Sequence, residues 1–379
     1  MTRDVETIAR VEALPLRYAE PNNNGKVRCV ALVRIETASG AVGWGEAITG
    51  SEDASLAMKV IVDRGLGARL LGRDPRDVEA IWSELRESTY WSGNGGIVTF
   101  ALSAIDMALW DLAGRLAGVP LYQLLGGKRR DRVRAASSII FDTANLDAIG
   151  RQFADLRARG YEVLKGGWGH DLSIAFGKDA KRDLAIVRTV RAAVGEDAEI
   201  IVDVAAGSNW TASHAITMAR AFEPYRLYWL EDALPEGDLE GWKRLRAATA
   251  TPLCTGEKSW LVPDFRRLID TGALDVVMID PGRAEGVTGT RKVIDMAAAA
   301  QQSWNAHSWS SAINTAASLH LAAASPNVLL LELKPEPSPM QNDIVSDPIV
   351  MEGGTIAVRD APGLGIAIDE AAVRRYVFD

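Results

Sequence analysis

Short apolar runs that end in a polar residue recur at nearly even steps through the second half of the chain. The polar residues are, in order, Asp203, Glu231, Glu257, Asp280, His307 and Glu332. Neighbours in this series lie 23 to 28 residues apart, which is about the length of a strand, a turn and a helix. Because connecting helices bring the ends of parallel strands to one edge, the spacing predicts that these side chains meet at the active end of a closed β/α barrel.

Between residues 126 and 345 the sequence alternates between strand and helix patterns. Apolar runs predict eight strands, at 133–140, 162–167, 199–205, 227–232, 253–257, 275–280, 303–307 and 328–333. Amphipathic patterns predict seven helices between them, at 146–159, 179–194, 211–223, 239–249, 263–271, 289–301 and 310–324. This alternation favours an α/β fold, a modified TIM barrel of the (β/α)7β form, over an open doubly wound sheet. No Gly-x-Gly-x-x-Gly or phosphate-loop fingerprint opens any unit.

The first part of the chain, residues 1–125, lacks this alternation and predicts a separate α+β domain. The runs VRCVALVRIET and AVGWGEA flank a turn and predict a hairpin. Helical patterns follow near 54–70, 75–88 and 97–118. The tail, residues 346–379, returns to strand and turn signals with a short helix near 369–376, and we expect it to fold back onto the N-terminal domain.

Composition excludes several kinds of partner. The net charge is −8 and no basic stripe is present, which argues against nucleic acid and against an anionic membrane. Cys29 and Cys254 lie in apolar runs and are expected to be buried free thiols, as in a reducing compartment. The N-terminus has no apolar signal core, so we expect a cytoplasmic protein that acts on a small molecule.

The three acids Asp203, Glu231 and Glu257 are the strongest candidate site. Three carboxylates in a shared, partly dry barrel mouth would repel one another, and a divalent cation removes that cost. Oxygen ligands favour magnesium with positions left open for water and substrate, so we expect one Mg²⁺ per chain. The alternative is three unrelated acids that cap helices or pair with arginines.

Four other strand-end residues are candidates for acid–base chemistry. A carboxylate beside an imidazole fixes its tautomer, so His307 with Asp280 suits a general base that later acts as an acid. Lys165, one unit before Asp203, is placed to neutralise a substrate carboxylate or to move a proton. Glu332, as a protonated carboxyl, is placed to donate a hydrogen bond to a developing oxyanion. The alternatives are a core histidine, a solvated lysine and a structural acid.

Loops at the predicted active end supply candidates for substrate contact. Trp168 and His170 follow Lys165 directly. Tyr90, Trp91 and Asn94 belong to a Gly-rich turn, YWSGNGG, and the segment from Arg17 to Lys26 is a polar loop between predicted strands. We expect specificity to depend on these two segments and on the region after Asp203, although plain surface loops would give the same pattern.

These segments resemble the enolase superfamily, and specifically its mandelate racemase subgroup, over almost the whole chain. VGWGEA, AIDMALWDLAGRLAGVPLYQLLGG and PGLGIAIDE are similar to the capping domain of that subgroup. VDVAAGSNW, WLED, TGE, MIDPGRAEGVTG and NAHSWSS are similar to its barrel motifs.

The resemblance implies a role for each strand-end residue. Asp203, Glu231 and Glu257 would bind Mg²⁺, His307 with Asp280 would form the catalytic pair, and Glu332 would contact the substrate carboxylate or enolate. The shared chemistry is removal of the proton next to a carboxylate, made feasible because the cation stabilises the enediolate. The resemblance also implies a homo-oligomer, a dimer or an octamer.

The sequence departs from the subgroup pattern at Gly167. The subgroup commonly has Lys-x-Lys at the end of the second strand, with the second lysine as the base on the opposite face, whereas this chain has Lys165-Gly166-Gly167. A two-base racemase is therefore disfavoured. A one-base dehydratase of an acid sugar, an aldonate or aldarate that yields a 2-keto-3-deoxy acid, is the function we predict.

Other functions stay open from the sequence. A racemase or epimerase would use Lys165 or His170 as its second base, and a sugar-lactone cycloisomerase would need only one base. A lyase from an unrelated barrel family and a non-catalytic acid-sugar binding protein are further alternatives.

Overall fold

The N-terminal part of the chain forms an antiparallel sheet covered by helices. The computed structural model describes residues 6–204 and 210–379. The sheet has three strands in sequential order, β1 (Ile8–Glu20), β2 (Lys26–Thr37) and β3 (Val42–Ala47). The hairpin predicted from the sequence is therefore confirmed as β2 and β3.

The loop predicted from Arg17 to Lys26 is shorter than expected. Strand β1 continues to Glu20, and Glu20 pairs in register with Lys26, so the connection is limited to residues 21–25. The polar Glu20 occupies a buried strand position because Lys334 bonds its carboxylate at 2.6 Å. A charged residue at a buried strand position interrupts the apolar pattern from which a strand is predicted. The prediction of a loop was therefore wrong for residues 17–20.

Four helices follow the sheet; the first and third contact its strands, and the second and fourth pack on the third. They are α1 (Glu52–Ile61), α2 (Val78–Ser88), α3 (Gly96–Ala117) and α4 (Leu121–Leu124). The regular part of α1 is shorter than predicted, since the chain continues as a π-helical turn over Val62–Leu66 and a 3-10 turn over Gly67–Arg69.

The long helix α3 packs directly on β3. It is long and apolar enough to cross a membrane, but 83% of its most apolar window is buried inside the protein, as in a core helix. Gly45 makes this close approach possible, because a Cβ atom at that position would lie 1.9 Å from the carbonyl oxygen of Ala104. The glycines of the VGWGEA segment thus serve helix–sheet packing.

The second half of the chain forms a closed barrel of eight parallel strands. The strands are β4 (Arg132–Ile140), β5 (Val163–Gly167), β6 (Glu199–Asp203), β7 (Trp229–Glu231), β8 (Leu253–Thr255), β9 (Val276–Ile279), β10 (Ser303–Ala306) and β11 (Val328–Leu333). Each pairs with the next, and β11 pairs with β4 to close the barrel. All eight predicted strands are confirmed.

Seven helices connect the barrel strands, as the sequence predicted. They are α5 (Leu146–Ala158), α6 (Ala180–Val194), α7 (Ala212–Phe222), α8 (Leu239–Ala248), α9 (Val262–Asp270), α10 (Gly286–Ala299) and α11 (Ala312–Ala324). The barrel interior is packed with Ala136, Val163, Ile201, Trp229, Cys254, Val276, Met278 and Leu330. This packed interior leaves the strand ends as the place for a site. Both Cys29 and Cys254 are buried free thiols, as predicted.

The C-terminal tail contacts both parts of the molecule. It contains α12 (Pro339–Asn342), β12 (Thr355–Ala357) and α13 (Glu370–Tyr376). Strand β12 pairs antiparallel with the barrel strand β4. Val377 forms a bridge with Leu16 of β1, and Gly363 forms a bridge with Pro120 before α4. The fold is thus a modified TIM barrel with an N-terminal α+β cap that the tail contacts.

Candidate active site

Three buried carboxylates converge at the carboxyl ends of neighbouring barrel strands. Asp203 ends β6, Glu231 ends β7 and Glu257 follows β8, and one oxygen from each lies within 4.8 Å of the others. Asp203 and Glu231 are paired across adjacent strands, so the strand register fixes their proximity. The three acids form a group that is suited to a hard divalent cation.

The electrostatics of this carboxylate group call for a cation. Burial raises the pKa of Asp203 and raises that of Glu231 well above its ordinary value. Burial acts in the same direction on Glu257, but the charges of His307 and Lys165 hold its pKa down to about 2. Carboxylates this close and this buried become stable as anions when a positive charge lies among them.

Lys165 supplies one positive charge from the end of β5. Its ammonium group contacts Glu231, lies 2.8 Å from Glu332 and lies 3.4 Å from Asp203. Burial alone would lower the pKa of Lys165, but these carboxylates raise it well above its ordinary value. Lys165 is therefore charged and engaged with the acids.

His307 lies between two carboxylates. Its Nδ1 is 2.6 Å from Asp280 Oδ2, and its Nε2 is 3.0 Å from Glu257 Oε2. Asp280 is itself fixed, because the backbone N–H of Gly282 donates to its other oxygen at 2.9 Å. Burial alone would lower the pKa of His307, but Glu257 and Asp280 raise it above its ordinary value. The Asp280 contact directs Nε2, the second ring nitrogen, towards the acid group and the cavity.

Glu332 lies beneath this group on the last barrel strand. It is fully buried, accepts from Lys165 at 2.8 Å and accepts from the Asn305 amide at 3.3 Å. Its other carboxylate oxygen is buried and has no hydrogen-bond partner among the described residues. Glu332 does not line the cavity and acts on the site through Lys165.

Gly167 closes the position where a second base would stand. It ends β5 and pairs in register with Asp203. A Cβ atom at Gly167 would lie 2.2 Å from the Asp203 carbonyl oxygen and 2.6 Å from its Cβ atom, so this backbone admits no side chain. The absence of the second lysine is thus a feature of the strand packing.

Asp203, Glu257 and His307 line a cavity of about 390 Å³ between the barrel and the cap. Its lining includes Asn23, Lys26 and Arg28 from the cap, and Ser138, Lys165, Gly167, Trp168, Asp203, Glu257, Lys258, Arg283, His307 and Trp309 from the barrel.

Sequence reasoning missed four of the charged or aromatic residues in this lining, Arg28, Lys258, Arg283 and Trp309. Lys258 and Arg283 follow Glu257 and Asp280 by one and three positions, a proximity that would have singled them out. Trp309 lies two positions after His307 and carried the same signal. Arg28 comes from the other domain, and no spacing in the barrel points to it.

The candidates from the loop after β5 fall at the cavity and its edge. Trp168 lines the cavity and adopts a left-handed backbone conformation, with φ 55°. His170 lies outside the lining, with Nδ1 3.3 Å from the amide oxygen of Asn23, and its main-chain carbonyl accepts from Lys26. Burial lowers the pKa of His170, which favours its neutral form.

The Gly-rich turn after α2 does not reach the cavity. Trp91 is 93% exposed, Tyr90 is exposed, and Asn94 accepts from Thr89. The turn packs instead against Trp260, whose ring would lie 3.3 Å from a Cβ atom on Gly95. In the expected specificity region after Asp203, residues 205–209 lie outside the described residues.

Known proteins share this fold and these motifs. Residues 5–126 match the N-terminal domain model of mandelate racemase / muconate lactonizing enzyme, and residues 148–372 match the enolase C-terminal domain-like model. The chain is 31% identical over 373 residues to D-gluconate dehydratase from Thermoproteus tenax, covering 98% of this chain and 74% of that protein.

Two further comparisons cover the whole chain. D-galactarolactone cycloisomerase from Agrobacterium fabrum is 28% identical over 385 residues, covering 98% of each protein. The crystal structure of a racemase from Streptomyces coelicolor with bound magnesium superposes with a TM-score of 0.86 at 27% identity, covering 98% of this chain and 100% of that one. The chain therefore belongs to the mandelate racemase / muconate lactonizing enzyme family of the enolase superfamily and is an enzyme.

Proposed function

We propose that this enzyme is a Mg²⁺-dependent dehydratase of acid sugars that converts an aldonate or aldarate into a 2-keto-3-deoxy acid. The observation that carries the proposal is the asymmetry of the site. His307, held by Asp280, faces the cavity, whereas the position of a second base is closed at Gly167. One base and no opposing partner suit elimination better than racemisation.

The three carboxylates fit a magnesium ion, one per chain. Asp203, Glu231 and Glu257 offer three oxygen donors within 4.8 Å of one another in a buried site. Burial raises the pKa of Asp203, whereas the charges of His307 and Lys165 hold the pKa of Glu257 down to about 2, and a bound cation would stabilise the carboxylates as anions. When bound, the ion supplies positive charge that favours the enediolate form of a substrate carboxylate.

His307 carries both proton transfers in this proposal. Its Nδ1–H donates to Asp280, so the neutral Nε2 takes the proton from the carbon next to the substrate carboxylate. The resulting imidazolium then protonates the hydroxyl on the next carbon, the C–O bond breaks and water leaves. The enol that remains tautomerises to the 2-keto-3-deoxy acid, and His307 returns to its neutral form.

Lys165 and Glu332 complete the charge balance around the reacting carbon. Lys165 keeps its proton, since carboxylates surround it, and therefore serves as a fixed positive charge rather than as a base. Glu332 holds that ammonium group in place at 2.8 Å.

The direct test is incubation of the Mg²⁺-loaded enzyme with a panel of aldonates and aldarates, scored for 2-keto acid. We expect a keto acid from at least one member and no epimer of any member. Epimerised product without keto acid would overturn the dehydratase proposal in favour of a racemase or epimerase.

Cycloisomerisation of a sugar lactone is the second candidate. The similarity to D-galactarolactone cycloisomerase over 98% of both chains favours it, and the chemistry again needs only one base. In that reaction the leaving group is the ring oxygen, so the ring opens and no water is released. Turnover of a lactone with the open-chain acid left unchanged would establish this candidate.

We also propose that the working enzyme is a cytoplasmic homo-oligomer in which residues 1–125 cap the barrel of residues 126–345 and residues 346–379 complete the cap. The bridges of the tail to Leu16 and Pro120 support this division. Sedimentation of the intact chain would measure the oligomeric state.

A further inference from the structure

We infer that Arg28, assisted by Lys26, binds a second carboxylate at the end of the substrate remote from the reacting carbon, so that this enzyme acts on dicarboxylic acid sugars. This inference rests on the proposed function and narrows its substrate to aldarates or their monolactones.

The two ends of the cavity carry different charges. The barrel end has mixed charge, with the lining carboxylates Asp203 and Glu257 beside the cations Lys165, Lys258 and Arg283. The cap contributes Asn23, Lys26 and Arg28, two cations and an amide with no acid. A substrate whose first carboxylate lies at the barrel end therefore has its far end next to the positively charged cap residues Lys26 and Arg28.

Arg28 is fixed in a defined orientation. Its guanidinium group lies over the indole ring of Trp309, 4.5 Å from the ring centroid. That ring is itself anchored, because its N–H donates to the carbonyl oxygen of Ser138 at 3.1 Å. A guanidinium held against an aromatic face keeps its N–H edge free for planar, two-point contact with a carboxylate.

Arg28 is also a cation without an anion. Within residues 6–204 and 210–379 it forms no ion pair, and its Nε is buried without a hydrogen-bond partner. Residues 205–209 read AAGSN and contain no acid. Of the other lining cations, Lys258 is paired with Asp232 at 2.5 Å and Lys165 is paired with Glu231. Arg283 also has a buried Nε without a partner, but its guanidinium group already donates to the main chain of Glu257.

An unpaired, partly buried cation is costly until an anion arrives, and this cost makes the subsite selective. A charge-assisted pair with a carboxylate contributes more than a hydrogen bond to a neutral hydroxyl. Lys26 adds to the positive potential, although its ammonium group also contacts the main chain of His170. An aldarate satisfies Arg28, whereas the terminal hydroxyl of an aldonate does not.

The test that does not depend on turnover uses unreactive acids. Adipate and hexanoate share a six-carbon chain and lack the hydroxyl that elimination needs. Calorimetry with the Mg²⁺-loaded enzyme should show that adipate binds at least about tenfold more tightly than hexanoate. Arg28→Met should bring this ratio close to one while Mg²⁺ affinity stays unchanged, which also shows that the variant is folded.

Arg17→Met is the matched control. Arg17 lies on the neighbouring strand, over the ring of Phe378, pairs with the exposed Glu52 at 2.8 Å and does not line the cavity. The Arg17→Met substitution removes one positive charge from the same sheet, and it should leave the ratio of adipate affinity to hexanoate affinity unchanged. Equal binding of the two acids by the wild type, or a ratio that survives in Arg28→Met, would overturn the inference.

Kinetics separate this inference from the proposed function. Two matched pairs of substrates are compared: D-glucarate with D-gluconate, and galactarate with D-galactonate. In at least one pair we expect the wild type to show the higher kcat/KM for the dicarboxylate. Arg28→Met should lower that kcat/KM, while its kcat/KM for the monocarboxylate should stay within about threefold of the wild-type value. A higher kcat/KM for the aldonate in both pairs would overturn the proposed carboxylate subsite and leave the dehydratase proposal in place. If adipate still binds more tightly than hexanoate but no sugar acid reacts, the dehydratase proposal would be overturned and the subsite would stand.

Discussion

Gly167 and Asp203 lie side by side on neighbouring barrel strands, with so little space between them that a Cβ atom on Gly167 would lie 2.2 Å from the Asp203 carbonyl oxygen. The glycine therefore does two things at once. It lies against the backbone of a carboxylate in the proposed metal site, and it excludes a side chain, and with it a second base, from the end of β5.

The first prediction concerns this contact. Gly167→Ala should destabilise the protein by about 1–3 kcal/mol, since the methyl group has to displace backbone. It should also weaken Mg²⁺ binding, because the displaced backbone carries Asp203. Urea unfolding and Mg²⁺ titration measure both effects.

Gly65→Ala is the control for the same chemical change. A Cβ atom at Gly65 meets no atom within 4 Å, and Gly65 lies in a helical turn at negative φ. The free energy of unfolding of Gly65→Ala should be equal to that of the wild type or slightly higher. Gly167→Ala with the stability and Mg²⁺ affinity of the wild type would show that the β5–β6 contact does not position Asp203.

The second prediction concerns the carboxylate group. Mg²⁺ should raise the Tm of the wild type in a saturable way, because it binds the folded state alone. Glu231→Gln should raise the Kd of Mg²⁺ by at least about a hundredfold, beyond what the loss of an outer-shell partner costs. Glu240→Gln, an exposed acid paired with Lys243, is the control. Equal Mg²⁺ affinity in Glu231→Gln would remove Glu231 from the metal site.

The third prediction concerns the contact of the cap with the loop after His307. Glu46 of β3 accepts from the backbone N–H groups of Ser311 and Asn314, at 3.1 and 3.0 Å, at the start of α11. Glu46→Gln replaces one acceptor oxygen by a donor and should cost about 1–3 kcal/mol. Because this loop carries His307, kcat should fall while the Mg²⁺ Kd is retained. An unchanged kcat in a destabilised variant would limit Glu46 to a structural role.

The fourth prediction concerns pH and the docking of α3 on α10. Asp106 accepts from the Thr288 N–H at 2.9 Å and from its hydroxyl at 2.6 Å, and burial raises the pKa of Asp106 to about 7. Since the folded state binds this proton more tightly than the unfolded state, the stabilisation is complete below about pH 4 and is lost as pH rises through about 7.

Asp106→Asn removes this titration. The stability of the wild type relative to the variant should therefore fall between pH 4 and pH 7, by about 1.4 kcal/mol for each unit of pKa difference. Urea unfolding of both proteins across this range measures the difference. Parallel pH profiles would mean that Asp106 stays ionised in the folded protein.

Much of the barrel could be predicted from the sequence because most of its strands are short apolar runs that end at or beside a polar candidate residue. This spacing was enough to predict the carboxylate group formed by Asp203, Glu231 and Glu257. Arg28 did not, since its position at the cavity depends on how two domains pack, and no local pattern encodes that. The exposed Trp91 shows the reverse case, because its Gly-rich aromatic turn was expected to contribute to substrate specificity but packs beside Trp260, away from the cavity.

The central claim is that His307 alone moves the proton, and the most direct measurement is reaction in D₂O of the wild type and of His307→Asn with the best acid sugar. We predict keto acid with one deuterium from the wild type, no epimer, and a loss of about 10³-fold or more in both keto acid formation and exchange of the α-proton in His307→Asn. Exchange that persists in His307→Asn, or deuterium in inverted substrate from the wild type, would contradict the account and assign a second base.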